Sequence, residues 1–296
     1  MLNALRYRQP FNWLVTTGVR ALLRVLGARS AWCMCHLHRV GRVSAQLPNG
    51  RMLRLQGGRD DAIPNQIYWD GWHAFEPEAS ALFFSLATAS RVTLDIGAYI
   101  GYYALLAAHA NPRGRVVAFE PLPQIFERLR RNVGLNGLTN VDCVMSAVGR
   151  TNGTATFYHV DRPIPSSSSL SYQFMQHAPG LTASQVQIVT VDDYLSSHQL
   201  GAVDLVKIDT ESTEPDVLSG MARTLQRDHP HIMCEVLTEQ KTGPQLQALL
   251  QPHGYRFYQL TASGPVQRER VEGDSRWRNY LFTTLAPDVV STLAGK

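Results

Sequence analysis

The stretch Val92-Thr93-Leu94-Asp95-Ile96-Gly97-Ala98-Tyr99-Ile100-Gly101 decides the fold. A short β-branched run ends in an acid, passes two glycines and enters a helical segment near Tyr99–Ala110, as a strand does when it turns directly into a helix. Gly97 allows a tight turn and the close approach of a ligand, and Gly101 lets the helix begin near that ligand. A dinucleotide site has Gly-x-Gly-x-x-Gly, whose glycines admit a pyrophosphate at the helix N-terminus. Here Gly97 and Gly101 are spaced Gly-x-x-x-Gly, Tyr99 and Ile100 would crowd a pyrophosphate, and Asp95 would repel it. The turn suits a cationic or zwitterionic ligand, and a nicotinamide oxidoreductase is the class it fits least.

The alternation continues outward from this turn. Val116–Glu120, Val141–Met145, Val203–Asp209, His231–Val236, Tyr255–Leu260 and Tyr280–Thr284 read as further buried strands, with helices near Pro77–Ala89, Gln124–Leu135, Pro215–Arg227 and Pro244–Gln251. This pattern predicts an α/β fold: a doubly wound, mostly parallel sheet of seven strands with helices on both faces. Function then belongs at the carboxyl ends of the strands. Thr151–Tyr194 interrupts the alternation with extended runs at Thr154–Val160 and Gln187–Val191, and with a loop, Pro163–Gly180. That loop carries Ser166–Ser169 and is long enough for a lid or substrate loop.

The chemistry gathers at the strand ends. The second strand closes at Glu120 in Val-Val-Ala-Phe-Glu-Pro, where a carboxylate can accept both hydroxyl protons of a ribose. Asp95, the glycine turn and Glu120 together match the needs of S-adenosylmethionine: a partner for its amino-acid end, a close backbone and a ribose clamp. The plainer roles are a helix cap for Asp95 and a solvated strand end for Glu120, but two acids at adjacent strand ends would then repel each other. The fourth strand delivers Lys207-Ile208-Asp209-Thr210-Glu211, whose alternation sets Lys207, Asp209 and Glu211 on one side. Methyl transfer to a hydroxyl needs a base or a metal at its proton. Asp209 is the first candidate for that contact and Glu211 the second. Lys207 either orients Asp209 or acts itself. Glu235, closing the fifth strand, either shares a proton or cation with Asp209 or caps a helix.

At these residues the chain resembles the FkbM family of S-adenosylmethionine-dependent methyltransferases. The likeness runs from about Phe75 to Phe282 and rests on Phe75-Glu-Pro-Glu78, Asp95-Ile-Gly-Ala-Tyr-Ile-Gly-Tyr-Tyr103, Ala118-Phe-Glu-Pro121, Asn132 and Asn136, Ser168-Ser-Leu170, Asp204-Leu-Val-Lys-Ile-Asp-Thr-Glu211 and Asn279-Tyr-Leu-Phe282. The resemblance implies a Rossmann-like class I methyltransferase fold and O-methylation of a sugar, glycolipid or natural-product hydroxyl. By position it assigns Asp95, Gly97, Gly101 and Glu120 to the cofactor and Lys207, Asp209 and Glu211 to the acceptor; it names no metal ligand, and a divalent metal requirement stays open. Where the family has Asp-Val-Glu-Gly-Ala-Glu, this chain has Asp209-Thr-Glu-Ser-Thr-Glu214. If the glycine position needs positive φ, Ser212 adds strain of about 1 kcal/mol. A non-catalytic adenosylmethionine-binding scaffold is the alternative that Ser212 suggests.

Of the 296 residues 44% are apolar and 18% charged, which excludes a disordered tail or a coiled-coil rod. The net charge of +4 is unevenly spread: the first 59 residues hold ten arginines and no lysine or acid, and the remaining 237 hold 18 basic and 24 acidic side chains. An acidic body thus carries a basic sleeve, with a boundary expected between residues 1–74 and 75–296. Within the sleeve, Phe11–Leu26 has the period of a basic amphipathic helix, suited either to docking on protein or to an anionic membrane surface. Its arginine-rich, acid-free start also has the character of an organelle transit peptide. Val40–Leu47 and Arg51–Gln56 flank Pro48-Asn49-Gly50 and read as a hairpin, followed by a Trp-rich link at Trp69 and Trp72. RNA methylation is a further alternative raised by the sleeve, but an Asn-Pro-Pro-Tyr type of motif is missing and basic and aromatic residues do not interleave. The expected partner is a small-molecule or glycan acceptor, without specific nucleic acid. Four cysteines suit a reducing, cytoplasmic setting, with membrane association through the sleeve as an option. Cys33, Cys35, His36 and His38 crowd too closely to surround one zinc ion by themselves.

Overall fold

The computed structural model describes residues 7–27, 36–59, 61–162, 164–165, 168–238 and 242–295. It divides into two compact units, one comprising the chain up to Pro77 with Arg131–Leu138, the other Glu78–Arg130 and the chain from Thr139 onward. The sleeve boundary expected before Phe75 did not include the segment Arg131–Leu138.

In the first unit, α1 (Phe11–Leu26) has the limits its period predicts and stops at Gly27, which adopts φ +61. Strands β1 (Gly41–Gln46) and β2 (Met52–Gly57) pair antiparallel from Gly41↔Gly57 to Gln46↔Met52. Alternation buries Val43, Ala45, Leu53 and Leu55. The Trp-rich link is in part a helix, α2 (Ala62–Asp70). Its Ile63, Pro64, Asn65, Ile67, Tyr68 and Trp69 are all buried, and burial on every side leaves no 3.6-residue period to read. Asn136 accepts the Arg54 amide at 2.8 Å and donates to the Arg54 carbonyl at 2.7 Å, while Asn132 accepts the Gln56 amide at 2.9 Å. Cys33 and Cys35 lie outside the described residues, and His38 Nδ1 is hydrogen-bonded with the Arg59 carbonyl oxygen.

From Pro77 onward the chain follows the predicted alternation, the segment Arg131–Leu138 belonging to the first unit and the other elements to the second. Helix α3 (Pro77–Ala87) leads to β3 (Val92–Ile96), α4 (Tyr102–Ala110), β4 (Arg115–Phe119), α5 (Pro123–Asn136) and β5 (Val141–Val144). Strands β6 (Ala147–Val148), β7 (Gly153–Val160) and β8 (Ser168–Ser169), helix α6 (Tyr172–Met175), β9 (Leu181–Val189) and α7 (Val191–Ser197) come next. The chain then returns through β10 (Leu205–Ile208), α8 (Glu214–Ser219), α9 (Ala222–Asp228), β11 (His231–Glu235), α10 (Gly243–Leu250), β12 (Arg256–Thr261), β13 (Gly264–Arg268), β14 (Asn279–Thr283) and α11 (Pro287–Ala294).

Among the described residues the main sheet has the order β13-β12-β14-β11-β10-β3-β4-β5. β11, β10, β3, β4 and β5 run parallel, and β14, β12 and β13 pair antiparallel. This is the doubly wound arrangement that the alternation predicts, with its order reversing between β3 and β10. All seven expected strands are in the sheet, which has eight rather than seven: β13 adds an edge. Its Gly264-Pro-Val-Gln-Arg268 has a single large apolar residue, so main-chain pairing with β12 defines it, not hydrophobic pattern.

The inner strands are buried throughout, as parallel strands covered on both faces must be. Leu94, Ile96, Val206, Ile208, Ile232 and Phe282 belong to one core cluster. The helix expected over Pro215–Arg227 breaks in two near Gly220, whose carbonyl accepts the Asp192 amide. The interruption at Thr151–Tyr194 builds a second sheet, β6-β9-β7-β8, with β7 and β9 antiparallel from Gly153↔Ile188 to Val160↔Leu181. Ser166 and Ser167 of the serine run lie outside the described residues.

Candidate active site

The turn after β3 is shaped by left-handed backbone. Gly97, Tyr99 and Gly101 have φ of +79, +51 and +92, which delays the helix expected from Tyr99 until Tyr102. A Cβ on Gly97 would lie 1.9 Å from the Asp209 carbonyl oxygen, and one on Gly101 would lie 2.5 Å from Leu129 Cδ1. The space both glycines leave is therefore filled by the protein: Gly97 seats the backbone that follows β10, and Gly101 seats a helix side chain. The sequence reading gave that space to a ligand.

Asp95 and Glu120 are both buried. Asp95 Oδ2 accepts the Ala104 amide at 2.7 Å, tying the strand end to the first turn of α4. Glu120 Oε2 accepts from Tyr99 at 3.1 Å and Oε1 from Leu122 at 2.9 Å, so this carboxylate holds the Gly97–Gly101 turn against the chain after β4. A carboxylate has about four lone-pair sites, and two amides leave acceptor capacity for hydroxyl donors.

β10 runs beside β3 with Lys207 opposite Asp95. The Lys207 side chain is 0% exposed, lies 5.0 Å from the Tyr103 ring centroid and donates to Asp209 Oδ2 at 3.2 Å. An ammonium this deep is stable only with charge partners, here Asp209 and the carboxylate of Asp95. The strand stops at Ile208, and the next residues turn sharply: Glu211 and Ser212 have φ of +55 and +89. Alternation thus accounts for Lys207 and Asp209, whereas the turn sets Glu211. Ser212 occupies a left-handed position, and its buried hydroxyl oxygen has no hydrogen-bond partner among the described residues.

Burial pushes the Asp95 carboxyl up to about 7, against the pull of Lys207 and the Ala104 amide. Glu120 rises to about 8, also by burial, despite the Leu122 and Tyr99 amides. Glu211 is pushed up to about 9 by burial first and then by Asp209, Glu235 and Glu214, with Arg278 opposing. At neutral pH Glu211 is a neutral acid. Glu235 Oε1 lies 3.7 Å from Arg278 Nη1.

Two further residues shape the site and were missed from sequence. Glu214 Oε1 accepts from the Thr210 amide, the Thr210 hydroxyl and the Ser212 amide at 3.2, 3.1 and 3.0 Å, clamping the turn after β10. Ser169, fully buried, donates to the Glu211 carbonyl at 2.6 Å and so ties the inserted sheet to the same turn. Glu214 closes the Asp209–Glu214 motif, and that spacing was the available signal. For Ser169 the signal was its place in the Ser168-Ser-Leu170 motif of the family resemblance, which gave it no role. Among the described residues no group of three or more His, Cys, Asp or Glu side chains is set to hold a metal ion.

Residues 95–257, just over half of the chain, match the methyltransferase FkbM domain. Methyltransferase sdnD of Sordaria araneosa is 26% identical over 191 residues, covering 55% of this chain and 72% of that protein. The 31-O-demethyl-FK506 methyltransferase FkbM of Streptomyces tacrolimicus is 27% identical over 190 residues, again 55% of this chain and 72% of that one. The 2-O-methyltransferase NoeI of Sinorhizobium fredii is 26% identical over 149 residues, 46% of this chain and 59% of the relative.

Proposed function

The chain belongs to the FkbM family of methyltransferases, and from that premise we propose that it moves a methyl group from S-adenosylmethionine to a hydroxyl oxygen of a sugar, glycolipid or natural-product acceptor. Oxygen is favoured because two relatives are named for methylation at O positions. The observation that carries the reading is the set of acids, Asp209, Asp95 and Glu120, at the ends of three adjacent parallel strands beside the order reversal.

These residues fit the cofactor by the chemistry of the donor set. Asp95, pushed up to about 7 by burial beside Lys207, is partly ionised at neutral pH and suits the cofactor's cationic amino group, whereas Glu120, pushed up to about 8, meets it as a largely neutral carboxyl that still accepts hydrogen bonds. Glu120 keeps lone pairs for ribose hydroxyls, and Asp95 sits at the turn that would meet the amino-acid end. When bound, the cofactor supplies an electrophilic methyl group on sulfur. The remaining work is the chain's own: orient an acceptor hydroxyl and remove its proton. Asp209, 29% exposed and tethered by Lys207, is the base that accepts this proton. Lys207 acts through Asp209 as a positioning residue. Glu211, neutral near pH 7, is suited to donating a hydrogen bond to the acceptor, not to taking its proton.

Titration calorimetry and transfer of a labelled methyl group to a panel of hydroxylated acceptors test this assignment. Wild type and Asp209→Ala should both bind S-adenosylmethionine, and only wild type should turn over. A wild-type chain without affinity for the cofactor, or undiminished turnover by Asp209→Ala, overturns it.

A further inference from the structure

Helix α1 sits on its unit by the face its sequence makes unexpected. Asn12 and Thr16 are buried, whereas Phe11, Leu14, Leu22, Val25 and Leu26 are 51, 67, 57, 84 and 65% exposed. The buried side is a polar seam. Asn12 donates to the His38 carbonyl and accepts the Val40 amide, both at 2.9 Å, and Arg39 Nη1 donates to Thr16 Oγ1 at 2.6 Å and to the Trp13 carbonyl at 3.0 Å. Arg20 and Arg39 stack over the Tyr68 ring at 4.6 and 5.0 Å. At ~100° per residue these five side chains share an arc of roughly 120° on the opposite side from Thr16, while Trp13, 54% exposed, lies outside that arc with Arg39 over its ring. The seam fixes the roll of the helix with its apolar stripe outward.

Single exposed apolar residues are ordinary, but a stripe along four turns marks a surface that meets something. Its charge says what. Arg8 and Arg24 are exposed at the two ends of the helix, and the first 59 residues contain no acid that would repel an anionic surface. The helix has 16 residues and a length of ~24 Å, and no described helix is long and apolar enough to cross a membrane. A basic, one-sidedly apolar helix that cannot span a bilayer is suited to lie in its interface.

We propose that α1 lies along an anionic lipid surface, with its outward stripe among the acyl chains and Arg8 and Arg24 at the headgroups. This interaction is independent of the methyl-transfer reading. Co-sedimentation of the full chain with vesicles of phosphatidylcholine, alone or with phosphatidylglycerol, tests it. Wild type should bind the mixed vesicles and bind neutral ones weakly; Leu22→Glu/Val25→Glu should lower partitioning at least ~10-fold, and Arg24→Glu about fivefold or more. Val25→Ser, at the most exposed of these positions, should weaken binding without disturbing packing, and circular dichroism checks each fold. Wild type that stays in the supernatant overturns the proposal, as does binding unchanged by all three variants. A dimer in sedimentation equilibrium that Leu22→Glu/Val25→Glu dissociates, with no vesicle binding by wild type, assigns the stripe to a second copy and also overturns it.

Discussion

Replacing Gly97 with alanine tests the packing at the strand ends most directly. At φ +79 a Cβ costs about 1–2 kcal/mol in backbone strain alone. The added carbon would also stand 1.9 Å from the Asp209 carbonyl oxygen and 2.8 Å from its carbon, where about 3.5 Å is comfortable. That backbone cannot swing aside freely, because the Asp209 amide donates to Ile96 at 3.0 Å. Overpacking against a fixed backbone adds about 1–3 kcal/mol, for a total near 3–4 kcal/mol. Gly101→Ala is the internal control: its φ of +92 carries similar strain, but the obstacle is Leu129 Cδ1, the end of a side chain that can rotate, and about 2 kcal/mol is expected. Gly134→Ala, in the last turn of α5 with nothing within 4 Å of its Cβ, should stabilise by up to about 0.5 kcal/mol. Urea unfolding followed by far-ultraviolet circular dichroism should rank the chains Gly134→Ala, wild type, Gly101→Ala, Gly97→Ala from most to least stable. Gly97→Ala recovered as stable as Gly101→Ala would refute the close approach of the two strand ends.

The raised Glu120 carboxyl predicts pH dependence of known sign. Its stabilising proton is fully bound below about 4.5 and lost as pH rises through about 8, so between pH 5 and 8.5 Glu120→Gln should gain on wild type by on the order of 4 kcal/mol at most, and parallel unfolding curves would count against burial as the cause. Ser212→Gly removes left-handed strain and an unpartnered buried hydroxyl; thermal and urea midpoints should rise by the equivalent of about 1 kcal/mol, and an unchanged midpoint denies the strain. Lys207→Met leaves Asp95 and Asp209 without their buried cation. It should cost about 3 kcal/mol at pH 8 and less at pH 5, where Asp95 is protonated, with kcat falling more than KM; a pH-independent loss would point to packing alone.

What could be read from sequence was local. The strand through Asp95, its turn and the following helix are neighbours in the chain, and hydrophobic period with turn residues reveals them. That Lys207 lies opposite Asp95 depends on β10 returning beside β3 more than a hundred residues later, which no local pattern encodes. Gly97 was legible as a residue without a side chain, but not the identity of what fills the gap, because Asp209 belongs to a different strand. Strand β13 was invisible for lack of apolar residues, and α2 for having them on all sides. In α1 the period was right and its consequence was not: amphipathicity says that two faces differ, while Asn12, Thr16 and Arg39 decide which one faces the protein.

The two asparagines near the end of α5 do more than join a helix to a hairpin. A two-stranded sheet is marginal alone, and its outer strand offers free amides and carbonyls to any extended chain that drifts by. By accepting from and donating to Arg54, Asn136 imitates one residue of a third strand, and Asn132 occupies the next outward amide, at Gln56. The helix thereby covers edge groups that would otherwise form a template for intermolecular β-pairing.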